Sequence, residues 1–154
     1  MGIAVSGCSI SSVILHPPYS TTPRTVASAP SLIFLSDTQA PLWFEKIWLT
    51  YDDNEVATGR ILEAIARDSS CAAVVHLGDL TSMGSFESYW EEFDQETDLL
   101  RRSGIPLYPA FGNHEYTPFA NSGKERMVRR FPFMTMPWYE RRVGSAAIVV
   151  LNSN

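Results

Sequence analysis

The chain switches between two rhythms of apolar and polar positions. SLIFL (Ser31–Leu35) is a short, almost unbroken apolar run, the pattern of a strand buried on both faces. Residues 52–67 then repeat at helical spacing. Val56, Ile61, Leu62 and Ile65 supply an apolar stripe, and Asp52 or Asp53 can cap the first turn. AAVVHL (Ala72–Leu77) reads as a second buried strand. A second helix is predicted over residues 85–103, with Phe86, Trp90, Phe93 and Leu100 in register and Gly104 and Pro106 as its stop. PLYPAF (Pro106–Phe111) is the third strand. After a less regular stretch, SAAIVVL (Ser145–Leu151) is the fourth.

Strand, helix, strand, helix, strand in that order implies parallel strands joined by right-handed crossovers. The carboxyl ends of such strands share one edge, and ligands bind in the crevice outside it. Asp37, Asp79 and the pair Asn113–His114 each stand just past a strand, so they should converge. Gln39 lies two residues after Asp37 and could enter the same crevice. Gly78 and Gly112 would let the backbone turn sharply at the strand ends.

Composition narrows the classes. The chain has 154 residues, 45% of them hydrophobic, enough for one domain with a real core. A net charge of −5 argues against stable nucleic-acid binding by bulk charge. No apolar run is long enough to be a transmembrane segment. Cys8 and Cys71 form neither a disulfide framework nor a CxxC zinc pattern. Residues 1–30 are rich in Ser, Thr, Pro and Ala, the texture of a flexible leader ahead of a domain over 31–154. MGIAVS fits a loose myristoylation pattern, and VSGC (Val5–Cys8) resembles the end of a lipoprotein signal. The chain is exported or lipid-anchored if Cys8 is a lipoprotein cysteine, and otherwise cytoplasmic. Oligomeric state is not legible.

Two carboxylates, an amide oxygen and an imidazole at one edge suit Mn, Fe, Zn or Mg, and the carboxylates would repel unless a cation lay between them. SDTQ (Ser36–Gln39), GDL (Gly78–Leu80) and GNHE (Gly112–Glu115), in this order, resemble the Asp-x-His, Gly-Asp and Gly-Asn-His-Asp/Glu motifs of the calcineurin-like metallophosphoesterases. PWYERRVGSAAIVVLNSN (Pro137–Asn154) resembles the segment that follows. The resemblance implies an α/β fold, a four-layer α-β-β-α sandwich with a β-α-β-α-β parallel core. It implies two divalent metal ions, with Asp37 on the first, Asp79 bridging both and Asn113 on the second. It gives His114 a catalytic role at the phosphoryl oxygens and the leaving group. The implied reaction is hydrolysis of a phosphoester substrate by a hydroxide that the metals activate.

The chain departs from that pattern in two places. Gln39 stands where the family usually has histidine; it either ligates through its carbonyl oxygen or hydrogen-bonds Asp37 or a metal-bound water. The family's downstream histidines, including Gly-His-x-His, have no counterpart by Asn154, so the domain reads as incomplete at its C-terminus, with a second sheet largely missing and apolar surface exposed. The alternative function is a truncated, non-catalytic copy that binds metal or phosphate weakly. His16 lies in the leader and His76 reads as a satisfied core histidine. Trp43, Phe44 and Trp48 read as packing residues, with a substrate-pocket wall as the other reading. Lys124, Arg126, Arg129, Arg130, Arg141 and Arg142 read as a solvated face.

Overall fold

A computed structural model describes residues 18–26, 29–48 and 54–154. Three parallel strands form its centre: β1 (Ser31–Leu35), β2 (Cys71–His76) and β3 (Leu107–Pro109), with β2 in the middle. Every residue of β2 is buried, as an Ala- and Val-rich strand covered on both faces requires. Leu35 pairs with His76 and His76 with Pro109, so the strands finish level and deliver their next residues to one edge. The α/β class and the parallel core expected from the sequence are present.

Helix α1 (Asn54–Arg67) connects β1 to β2, and α2 (Glu87–Glu96) with α3 (Asp98–Arg102) connects β2 to β3. The buried face of α1 is Thr58, Leu62 and Ile65, spaced i, i+4 and i+7. Val56 and Ile61 fall off that face and are exposed, so the expected stripe is half right. The cap expected at Asp52 or Asp53 lies outside the described residues, as do Cys8, His16 and both lipidation patterns. The helix expected over 85–103 is broken at Thr97. That hydroxyl bonds back to the Phe93 carbonyl at 2.6 Å and meets the Tyr19 hydroxyl, a threonine back-bond of the kind that bends helices. Trp90, Phe93 and Leu100 are buried as expected, whereas Phe86 precedes the helix and is exposed.

SAAIVVL does not join the parallel sheet. Strand β5 (Ala146–Val150) pairs antiparallel with β4 (Tyr139–Val143) in a separate two-stranded sheet, turning at Gly144. Hydropathy hides β4 because only its end residues are buried, while Arg141 in its middle covers the Phe133 ring at 4.3 Å. Helix α4 (Ala120–Arg130) is equally polar; only Gly123 and Met127 are buried. Phe34, Leu77, Val149 and Leu151 leave apolar surface exposed. Among the described residues no helix is long and apolar enough to cross a membrane.

Two regions differ from the sequence expectation through tertiary contact. Part of the stretch read as a flexible leader packs on the core: Tyr19 is buried and stacks on Phe131 with centroids 4.7 Å apart, and the Arg24 N–H donates to the Ala72 carbonyl at 2.9 Å. Much of the basic stretch is an ion network rather than a solvated face. Arg130 pairs with Glu87 at 2.7 Å and with Asp94 at 2.8 Å, and Arg126 reaches Glu87 at 3.0 Å. Arg129 also pairs with Glu87, and Arg101 with Asp94. The side chains of Arg101 and Arg130 are only 3% and 10% exposed, so water and salt screen these pairs little. The network ties α4 to α2 and α2 to α3.

Asp94→Ala strips a partner from two buried guanidinium groups and is expected to lower the unfolding free energy by about 3–5 kcal/mol in urea titrations. A loss within about 0.5 kcal/mol, the range of ordinary surface changes, would refute that role. A second expectation concerns pH. Burial, together with Glu55 and Glu92, pushes the Glu96 carboxyl up to about 7. The folded chain keeps that proton where the unfolded chain has released it, so this group's contribution to stability declines as pH rises from the ordinary carboxylate range to about 7. Glu96→Gln should raise the melting temperature relative to the parent at about pH 8 and leave it nearly unchanged at about pH 4; equal shifts at both would show that Glu96 titrates normally.

Candidate metal centre

Each strand of the parallel sheet ends in a residue with an unusual backbone or a close contact. Asp37, after β1, has φ of 54°, and Asp79, after β2, has φ of 57°. Among the described residues these are the non-glycine positions in left-handed backbone, which aspartate tolerates better than most residues. Such conformations cost free energy and persist where surrounding structure holds them, commonly at functional sites. The sequence places them at one edge, and the structure joins them there. The Asp37 N–H donates to the Gly78 carbonyl at 3.3 Å, and the His114 N–H donates to Asp79 Oδ1 at 3.1 Å.

The two glycines act differently from one another. Gly78 has φ of 113° and makes the expected sharp turn. Gly112 is needed for proximity: a Cβ there would sit 2.2 Å from Asp79 Oδ1. The loops after β2 and β3 thus pass in backbone contact.

Glu115 holds them together. Its carboxylate is fully buried and accepts four backbone N–H bonds, from Leu80 and Gly112 at 2.7 Å, Asp79 at 2.9 Å and Thr81 at 3.2 Å. Burial pushes its carboxyl above the ordinary carboxylate range, and the four N–H donors pull it back. Its own backbone is wedged between Gly84 and Gly123, where an added Cβ would approach the Glu115 carbonyl oxygen to 2.3 and 1.7 Å. Nothing local in GNHE signals this role for Glu115, because three of its four donors lie 34 to 36 positions earlier in the chain.

The remaining side chains fall into two groups. Asp37 is exposed, and its carboxylate accepts from the Ser36 hydroxyl. Asn113 is exposed, and its side-chain amide makes no hydrogen bond among the described residues. Gln39 is half-buried, with Oε1 buried and without a hydrogen-bond partner, an acceptor that lacks a donor. Half-exposed His114 donates Nδ1–H to the Ser82 carbonyl at 2.8 Å, which leaves Nε2 as the nitrogen available to a ligand. Three supports were not foreseen. Asn54, the first residue of α1, donates Nδ2–H to the Gln39 carbonyl at 2.7 Å. His76, buried and neutral, accepts the Gly78 N–H on Nδ1 and meets Thr38 Oγ1 from Nε2 at 2.8 Å, bracing the residue between Asp37 and Gln39. Burial pushes its pKa down to about 4, in keeping with the core histidine expected. Ser82, whose carbonyl sets the His114 tautomer, is itself buried.

This donor set fits a hard divalent ion: two carboxylates, an orphaned amide oxygen and a second free amide. Neither aspartate is ion-paired to lysine or arginine among the described residues, so a cation has a place electrostatically. Among the described residues no three His, Cys, Asp or Glu side chains group closely enough to hold an ion by themselves. Gln39 and Asn113 are the amides at this edge that could add oxygens to such a shell.

In parallel α/β sheets ligands bind outside the carboxyl edge, and acidic, amide and imidazole groups there suit metal or phosphate. The sequence model of the calcineurin-like phosphoesterase family matches residues 30–152, and the chain belongs to that family. No protein of curated function matches it. Among solved structures it is similar to a purple acid phosphatase from yellow lupin (Lupinus luteus) seeds, at 17% identity and a TM-score of 0.49, over 87% of this chain and 25% of that one. The chain spans about a quarter of the length of that protein.

Glu115→Gln keeps the shape of the buried side chain but replaces one acceptor oxygen with a donor facing N–H groups. It is expected to destabilise the fold by roughly 2–3 kcal/mol in denaturant titrations. Unchanged stability would show that the four N–H groups do not depend on the carboxylate.

Proposed function

We propose that the edge formed by Asp37, Gln39, Asp79, Asn113 and His114 binds a phosphoester and hydrolyses it with the help of divalent metal ions. The observation that carries this reading is the pair of left-handed aspartates at the ends of adjacent parallel strands, tied to a histidine whose tautomer is set. In this reading Asp37 and Asp79 would supply the charged oxygens that hold metal, and Gln39 and Asn113 would supply neutral ones. Bound there, the ions supply Lewis acidity toward a phosphoryl oxygen and a hydroxide at neutral pH.

The chain's own residues do the rest. The Ser82 carbonyl keeps one proton on His114 Nδ1. A second proton on Nε2 then has one direction to go, toward the phosphoryl group or the leaving oxygen, where a positioned acid contributes about 10²–10⁴-fold. Glu115 and the close pass of Gly112 hold Asp79 and His114 in fixed relation, so little reorganisation is needed as charge develops. A second reading, metal or phosphate binding without turnover, draws on the lack of a three-member His, Cys, Asp or Glu group among the described residues.

Hydrolysis of p-nitrophenyl phosphate and its bis-ester by the purified chain with added Mn²⁺ separates the two. Turnover is expected to require metal, to vanish in Asp79→Asn, and to fall by about 10²-fold or more in His114→Ala. Asparagine tolerates left-handed backbone as aspartate does, so Asp79→Asn removes the charge without disturbing the turn. Bound metal without turnover in the parent chain would support the second reading; turnover that survives metal removal would overturn the first.

A further inference from the structure

Residues 40–48 leave the sheet edge at the site itself, where the Asn54 Nδ2–H donates to the Gln39 carbonyl at 2.7 Å. The Ser82 hydroxyl donates to the Ala40 carbonyl, and the same Ser82 accepts the His114 Nδ1–H. Leu42 is buried and roots the segment, and the Leu42 N–H donates to the Glu45 carboxylate at 2.7 Å, opening a single 3-10 turn over Glu45–Ile47. Surface segments rooted beside a polar site in this way commonly carry function.

The sequence reads Trp43, Phe44 and Trp48 as packing residues, with a substrate-pocket wall as the other reading; in the structure they are exposed. Trp43 is 75% exposed, Ile47 69% and Trp48 84%, and Phe44 is partly exposed. Trp43 and Phe44 stand perpendicular with centroids 5.8 Å apart, a corner with one ring face and one ring edge. Large exposed apolar side chains grouped beside a polar site mark a binding surface. Trp43 is four positions after Gln39, so their Cα atoms lie within about 14 Å even at full extension.

We propose that Trp43, Phe44 and Trp48 form the leaving-group subsite of this site and that its substrates are phosphoesters whose leaving group carries a flat ring, aryl or nucleobase. The inference rests on the phosphoester-hydrolase reading above. A flat ring fills a perpendicular aromatic corner by stacking on one face and meeting one edge, which an alkyl chain cannot do. A membrane surface is the less fitting occupant. The chain carries a net charge of −5, and an anionic bilayer recruits basic clusters rather than an acidic protein. The ring is placed by this loop while Asp79 and His114 meet the phosphoryl group, so one molecule engages both. These side chains would then determine specificity, setting affinity for the leaving group without touching the reacting phosphorus.

Calorimetric titration of the whole chain in Mn²⁺ with phenylphosphonate and methylphosphonate, neither of which is hydrolysed, tests this without relying on turnover. Phenylphosphonate is expected to bind about tenfold tighter than methylphosphonate. The Trp43→Ala/Trp48→Ala double variant should erase that preference and leave methylphosphonate affinity unchanged; Trp43→Phe/Trp48→Phe should keep most of it. The side chains are exposed, and far-UV circular dichroism checks that both variants fold. Equal affinities in the parent, both lost in Asp79→Asn, would overturn the ring subsite and leave the hydrolase reading standing. No binding of either phosphonate would overturn both. Tryptophan-dependent sedimentation with phosphatidylcholine vesicles, together with equal phosphonate affinities, would make the loop a membrane contact instead.

Discussion

The buried carboxylate of Glu115 is the constraint on which the candidate site depends. Four backbone N–H groups from two different loops converge on it, and none of them belongs to a helix or strand ladder. A carboxylate with no exposure must be met in full, and dipoles from turning backbone meet it here without a lysine or arginine. The loops after β2 and β3 are thereby welded. Gly84 and Gly123 let their backbones close on that weld from outside. Asp79 and His114 inherit their relative positions from it.

A second layer of charge works at the level of the helices. Asp94 and Glu87 on α2 gather Arg101, Arg126, Arg129 and Arg130 into one network, and Tyr19 and Trp90 lie against two of those guanidinium groups at 3.9 and 5.1 Å. These four arginines are committed to the helices rather than to the sheet edge. That division explains why an acidic edge can persist: it is kept apart from the cations that would neutralise it, and a bound ion can fill the role. The aromatic loop over 43–48 shows the opposite allocation. Apolar surface that a core would normally absorb is left in water next to the polar edge.

Local pattern determined a good deal. The buried runs at Ser31–Leu35 and Cys71–His76, the helical spacing of Leu62 and Ile65 and of Trp90, Phe93 and Leu100, and the stop at Gly104 are all legible because burial period and backbone type coincide. The parallel order followed from alternation alone, and with it the convergence of Asp37, Asp79 and Asn113–His114 on one edge. The family model matches the same stretch, residues 30–152.

Only the tertiary structure decided the rest, for one physical reason: these features depend on pairs of groups far apart in the chain. Thr97 breaks a helix whose hydrophobic spacing runs on, and its hydroxyl meets Tyr19, 78 residues away. Strand β4 carries Arg141 on its inner face, where the guanidinium lies over the Phe133 ring, so hydropathy does not reveal it. Glu115 reads as one more polar residue until the N–H groups of Asp79, Leu80 and Thr81, 34 to 36 positions earlier, are brought to it. Trp43 and Trp48 are residue types that usually pack, and only the folded chain shows them exposed among the described residues. Sequence period records which face is buried; it does not record which distant partner buries it.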